Sequence, residues 1–276
     1  MKKIYGVIGS TGKLGSLLVQ RPDFVKLDVD IRSVSSLHGL RMYLDGNYNG
    51  LDVIVNCAAI SSIDECEGNY EKAIKVNVHG LSNLHKVFGD RVLNISTDHV
   101  FNGRNWLLPR EGTTPAPINS YGLTKFASEG VSQVFGGKTI RLSRTVSHLD
   151  PDLNQYLHFL EAQEQVTVPD FFSRNYIHRE YAVMGIEYMV RHWDDMPSVV
   201  NYAGTENVTM YSFVKMLAME ANFRPQDVLK RNKYDDSLVP RPRKGGLNVS
   251  LAKSLGFPMF NVSDTVSKVV EDYFSD

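Results

Sequence analysis

Tyr121 and Lys125 stand four residues apart in the run YGLTK, a spacing that puts both side chains on one face of a helix. An ammonium beside a phenol favours the phenolate, so the pair predicts a tyrosine whose pKa Lys125 lowers into a range useful for proton transfer. A lone Y-x-x-x-K is common on helix surfaces, and a solvated pair is the plain alternative. Thr97 shifts that balance. It follows the strand-like run Arg91–Ser96 and so belongs at a strand's carboxyl end, where open α/β sheets bind ligands. A hydroxyl placed there can polarise a carbonyl while Tyr121 delivers a proton.

Gly9, Gly12 and Gly15, in GSTGKLG, follow an apolar N-terminal run and open a helical pattern. A dinucleotide's pyrophosphate must approach the backbone closely, which a Cβ would block, and a helix start offers free N–H groups. Ser10, Thr11 and Lys13 add hydroxyl and ammonium donors. A tight turn without ligand is the alternative, and the strand directly before the loop weighs against it. The acidic residue expected about 20 positions on, at the ribose, is Asp28 or Asp30. The gap from the glycine loop is short for a full helix and a second strand, so that strand is expected to be abbreviated.

These residues need a scaffold, and the pattern predicts one. Strands are expected at Lys3–Ile8, Val53–Asn56, Arg91–Ser96 and Thr139–Leu142, with helices near Lys13–Gln20, Val34–Asp45, Glu71–Phe88 and Tyr121–Phe135. Alternating elements of these lengths imply an α/β fold, a doubly wound parallel sheet of Rossmann type. VIVNCAA is continuously apolar, as a strand covered on both faces should be. Residues 1–145 are therefore expected to form a dinucleotide-binding domain. Residues 146–276 are expected to form a smaller, mostly helical substrate-binding lobe, with some strands and helices exchanged across the approximate boundary. Its helices fall at Leu153–Ala162, Arg179–Arg191, Met210–Ala221 and Val262–Tyr273, with short strands near Val166–Val168 and Ser198–Tyr202. VPRPRKGG, at 239–246, is expected to be an irregular loop.

Bulk properties narrow the class. The chain has 276 residues, 42% hydrophobic and 22% charged, ordinary for a globular protein. A formal charge of −1 argues against a nucleic-acid protein with a broad basic face. No apolar run approaches the ~20 residues that span a bilayer, and the N-terminal run is too short for a secretory signal. Cys57 and Cys66 form no C-x-x-C pair, which favours a reducing, cytoplasmic setting. The eight histidines show no metal-ligand spacing, so no metal is expected.

Several motifs in order carry a resemblance: GSTGKLG (9–15), KLDVDIRS (26–33), VNCAAISSIDECE (55–67), AIKVN (73–77), ISTDHVFNG (95–103), PINSYGLTK (117–125) and VPRPRKGGLNVS (239–250). Over nearly its whole length the chain resembles the dTDP-4-dehydrorhamnose reductases of the extended short-chain dehydrogenases. The resemblance implies an NADP or NAD cofactor touching Gly9, Thr11, Gly12, Lys13, Leu14 and Gly15, with Asp28 and Val29 at the adenine. Cys57, Ala58 and Ala59 would line the cofactor and Asn77 would support the site. Thr97, Tyr121 and Lys125 match the family's catalytic positions, and Tyr121 and Lys125 also meet the cofactor. His99, Val100 and Arg241 would face a sugar nucleotide, the arginine being suited to a diphosphate.

The sequence departs from the family pattern on its substrate side. Arg144 stands where an aromatic residue is usual, and is counted with the substrate residues; His99 stands where a tyrosine is usual. Leu17 occupies a place that is acidic in relatives with metal-dependent dimers, so a homodimer stays open. The function implied is NAD(P)H-dependent reduction of a 4-keto-6-deoxy sugar nucleotide, hydride coming from the nicotinamide and the proton from Tyr121. A second reading is a non-catalytic, dinucleotide-binding regulatory subunit like the β subunit of methionine adenosyltransferase. A sugar-nucleotide epimerase or dehydratase fits less well, because Asp98 stands where related epimerase-reductases carry a cysteine acid.

Overall fold

The computed structural model describes residues 3–48, 50–105, 107–231 and 239–276. In chain order the first half contains β1 (Tyr5–Ile8), α1 (Gly15–Leu18), β2 (Phe24–Leu27), α2 (Val34–Tyr48), β3 (Val53–Asn56), α3 (Ile63–Gly68) and α4 (Tyr70–Ile74). A π-helical turn (Lys75–Gly80), α5 (Leu81–Phe88), β4 (Val92–Thr97), a 3-10 turn (Asp98–Val100), α6 (Ser120–Val134) and β5 (Lys138–Leu142) follow. The remainder adds β6 (Arg144–Val146), α7 (Pro151–Glu161), β7 (Val166–Pro169), β8 (Ser173–Arg174), β9 (Tyr176–His178) and α8 (Arg179–Arg191). It closes with β10 (Val199–Tyr202), β11 (Val208–Thr209), α9 (Met210–Glu220), β12 (Val228–Arg231), α10 (Ser250–Ser254) and α11 (Val262–Ser275).

Six strands make the central sheet, in the order β2-β1-β3-β4-β5-β10. The pairs β1–β2, β1–β3 and β3–β4 are all parallel. This is the doubly wound, Rossmann-type architecture that the alternating pattern predicts. The chain reverses its winding direction between β1 and β3, which opens a crevice at their carboxyl ends. Strand parity shows that both faces are covered. Ile8 packs in a cluster with Leu37, Leu81 and Leu84, whereas Tyr5, on the other face, lies 5.7 Å from the Arg191 guanidinium.

Two elements differ from expectation. The helix expected over Lys13–Gln20 is only α1, four residues long. Its neighbour Pro22 has no N–H and limits the helix before it. The chain therefore reaches β2 within a few residues, and the abbreviated second strand ends at Leu27. The strand expected over Ser198–Tyr202 is found, but as the edge strand beside β5.

The chain forms two compact units, each drawn from several stretches. One comprises the chain up to Phe101, then Thr114–Arg141 and Val183–Val200; the other comprises Asn102–Thr113, Leu142–Ala182 and Asn201 onward. The second unit has its own core, where Leu153, Leu157 and Leu160 of α7 meet Phe213 and Leu217 of α9 and Val266 and Val269 of α11. Within it, small two-stranded sheets pair β6 with β9, β7 with β12 and β8 with β11. The 239–246 segment carries one bridge, Ser173 to Lys244, and Lys244 N donates to Gly103 O at 3.1 Å. Among the described residues no helix is long and apolar enough to cross a membrane.

Candidate active site

The glycine loop leaves β1 at Gly9, whose φ is +75°. A Cβ here would meet Ala58 N at 2.5 Å, so only glycine lets this turn lie against the chain leaving β3. Gly12 N donates to Gly9 O at 3.0 Å, closing the loop, while Thr11, Gly12 and Lys13 stay exposed at the sheet's carboxyl edge. Leu14 is half-buried and Gly15 is buried. With four residues, α1 has little summed dipole; individual N–H groups and the Thr11 and Lys13 side chains must hold any anion here.

Asp28 and Val29 follow β2 directly. The Asp28 carboxylate pairs with Lys26 at 2.9 Å and is largely exposed, whereas Val29 packs against the first unit's core. Asp30, the other acidic candidate, is taken by a two-pronged contact with Arg32, which holds its carboxyl below the ordinary value. Cys57 N donates to Ile8 O at 2.9 Å and Ala58 N to Asn56 Oδ1 at 3.2 Å. Ala59 is exposed at the same rim.

Thr97 ends β4, as the sequence indicates, and is buried. Its hydroxyl donates to Asp98 Oδ1 and accepts from His99 N, both at 3.3 Å. Helix α6 begins opposite, capped by Asn119, whose carbonyl accepts from Gly122 N at 2.8 Å. Gly122 is required: a side chain there would run into the His99 carbonyl. The His99 and Tyr121 rings meet edge to face, 5.7 Å between centroids, and Asn119 Nδ2 lies 3.3 Å from His99 Nδ1. Lys125 is buried one turn along.

Burial dominates the electrostatics of Tyr121 and Lys125. Burial pushes the Tyr121 phenol above its ordinary value, opposed by a hydrogen bond with the Thr97 side chain and reinforced by Asp98 and Cys66. Burial also lowers Lys125 to about 8, with Glu129 the main opposing influence and Cys57 and Cys66 behind it. Tyr121 thus keeps its proton through neutral pH, while Lys125 is mostly cationic there. The Cys57 thiol is pushed up to about 12 by burial and is not a nucleophile at ordinary pH.

Asn77 lies in the π-helical turn, a distortion frequent at functional sites. Its amide donates to Ile60 O and Thr124 Oγ1, both at 3.0 Å, and accepts from Ile60 N at 2.8 Å. It therefore ties the chain after β3 to α6, a supporting part with its hydrogen bonds already committed. Sequence reasoning missed a group behind the site: Ser96, Glu129 and Arg141, all buried. The signal was present in two places. Glu129 stands four residues after Lys125, and Arg141 lies between the apolar Ile140 and Leu142 of a buried strand.

The residues assigned to the substrate fare unevenly. His99 sits against Tyr121. Val100 is fully buried. Arg144 and Arg241 belong to the second unit; Arg144, in β6, pairs with Asp152 at 2.9 Å, and Arg241 is half-buried in the 239–246 loop. Among the described residues no group of three or more His, Cys, Asp or Glu side chains is arranged to hold a metal ion.

With this geometry in place, comparison with known proteins adds the following. The family model described as RmlD substrate binding domain matches residues 3–274. A dTDP-4-dehydrorhamnose reductase of Mycolicibacterium smegmatis is 39% identical over 82 residues, covering 28% of this chain and 25% of that protein. The methionine adenosyltransferase 2 subunit beta of Danio rerio is 44% identical over 78 residues, covering 28% and 24%. The matched part thus spans about a quarter of these curated relatives. The crystal structure of a dTDP-4-dehydrorhamnose reductase from Bacillus anthracis, in complex with NADP, superposes with a TM-score of 0.86 at 20% identity, covering 98% of this chain and 99% of that one.

Proposed function

The chain belongs to the RmlD substrate binding domain family, and from that membership we propose that it is an NAD(P)H-dependent reductase of a 4-keto-6-deoxy sugar nucleotide. The observation that carries the reading is the hydrogen bond between the Thr97 and Tyr121 side chains where β4 ends and α6 begins, with Lys125 buried one turn along the helix. The glycine loop fits a dinucleotide, because Gly9 lets the turn lie tight against the chain leaving β3 while Thr11, Gly12 and Lys13 stay exposed toward a close-lying phosphate. When bound, NADPH or NADH supplies the hydride. Tyr121, protonated through neutral pH, donates the proton to the oxygen of the reduced carbonyl. Thr97, already hydrogen-bonded to Tyr121, orients that oxygen. Lys125 provides the positive charge that favours the phenolate left behind.

The His99 ring lies edge to face with Tyr121 and is proposed to contact the sugar. Two free cysteines suit a reducing cytoplasm. A regulatory role is the competing reading, favoured by the 44% identity to the methionine adenosyltransferase subunit.

The test is NAD(P)H oxidation with dTDP- and UDP-linked 4-keto-6-deoxy sugars. Turnover is expected, and Tyr121→Phe should lower kcat about 10²-fold or more, the usual worth of a positioned proton donor. Full activity in that variant removes Tyr121 from the mechanism. Tight cofactor binding without reduction of any of these sugars supports the regulatory reading.

A further inference from the structure

Helix α6 is keyed to β4 at two successive rungs. Asn94 Nδ2 donates to Ser128 Oγ at 3.1 Å, and Ser128 Oγ donates to the Lys125 carbonyl at 2.7 Å. One rung further along the same strand face, Ser96 Oγ donates to Glu129 Oε1 at 2.5 Å. Arg141 of β5 completes the second rung: Nε donates to Glu129 Oε1 at 2.8 Å and Nη2 to Oε2 at 2.7 Å. The guanidinium also lies 5.1 Å from the Phe101 ring centroid. Ser96, Glu129 and Arg141 are 3%, 8% and 4% exposed, so no solvent stands in for a missing partner.

We propose that Glu129 is a positioning residue for this site: gripped by Arg141 and Ser96, it fixes the helix bearing Tyr121 and Lys125 against the strand ending in Thr97, and supplies the counter-charge for the Lys125 ammonium one turn away. The inference rests on the reductase reading only for its rate prediction. A hydrophobic contact could join α6 to β4 without difficulty, and a buried ion pair is weak as a source of stability. A carboxylate at this place acts on charge as well as position. The titratable or charged groups around Lys125 are Glu129 and Tyr121 on α6, Cys57 after β3 and Cys66 on α3, with Asp98 beyond Tyr121. Both thiols stay protonated at neutral pH, with values pushed up to about 12 and about 11. Glu129 is therefore the main group opposing the burial that lowers Lys125.

Three variants separate position from structure: Glu129→Gln, Glu129→Asp and the double Glu129→Leu/Arg141→Met. Replacing both partners with apolar groups is expected to keep the fold and its melting temperature. In Glu129→Gln and in the double variant, kcat should fall roughly tenfold, a fraction of the ~10²-fold that misplacement of about 1 Å brings. The alkaline limb of kcat, near pH 8 in the parent, should move to lower pH, and Glu129→Asp should restore part of both. A second readout needs no turnover: the Lys125 Nζ titration followed by NMR in isotopically labelled protein should shift down in Glu129→Gln. A double variant that is well folded with parental kcat and limb, or an unmoved Lys125 titration, overturns the proposal. If the parent itself proves inactive, the reductase reading fails, while the Lys125 titration still decides the role of Glu129.

Discussion

The two units bury charge in different ways. In the first, Arg141 and Glu129 form a two-pronged pair with Ser96 satisfying a further lone pair. In the second, Arg179 pairs with Asp150, while two histidines lean on the carboxylates of the final helix. His148 Nε2 lies 2.7 Å from Asp276, and His178 Nε2 lies 3.2 Å from Asp272 without hydrogen-bond alignment. Among the described residues His148 Nδ1 has no hydrogen-bond partner. The first unit therefore braces its site with a fully hydrogen-bonded pair, whereas in the second His178, held below its ordinary value by burial, faces a carboxylate without hydrogen-bond alignment.

The largest effect should come from breaking the first pair on one side only. Arg141→Met leaves Glu129 buried and unpaired, at a cost of about 3–5 kcal/mol, read by urea denaturation. If Arg141→Met and the double Glu129→Leu/Arg141→Met prove equally stable, the pair is not a coupled unit and the contrast disappears.

Acid should act next, and on the second unit. Burial holds His178 below its ordinary 6.5, while Asp272 raises it and Lys268, Arg179 and His148 lower it. As pH falls below 6.5, the unfolded chain takes up this proton before the folded one does. The unfolded state then binds more protons, and stability declines with acid. The melting temperature should drop between pH 7 and 5, and His178→Gln should flatten that drop. An unchanged slope in the variant assigns the acid sensitivity elsewhere.

The smallest effects test the helix caps. Asn119 caps α6 with one hydrogen bond, whereas Asn261 caps α11 in a reciprocal box with Asp264. Each asparagine-to-alanine change should cost about 1 kcal/mol. Only Asn119→Ala should also alter KM or kcat, since Asn119 lies against His99. Equal kinetic effects from both would show that global destabilisation, not the site, is being read.

Much of the sheet was legible. Val53–Asn56 and the strand ending at Thr97 follow from continuous apolar runs, and the glycine loop from its glycines after a strand. The four-residue α1 was overextended, because the apolar pattern runs on toward Pro22 while the backbone cannot. Ser198–Tyr202 was read as a strand, but its place at the edge of the sheet depends on a free edge beside β5 that no local pattern reveals. The burial of Val100 was hidden for a related reason. A motif gives a residue's position along the chain, while burial depends on what packs around it.

Residue type and spacing determined which groups meet at the carboxyl end of the sheet. Thr97 ends a strand, and Tyr121 and Lys125 share a helix face whatever surrounds them, because both facts follow from local periodicity. The protonation of those same groups was decided by tertiary structure. Burial raises Tyr121 and lowers Lys125, a hydrogen bond with Thr97 opposes the rise of the phenol, and Glu129, locked by Arg141 from another strand, supports the ammonium. Desolvation depends on everything packed around a group, and that sum is set only when distant segments close over it.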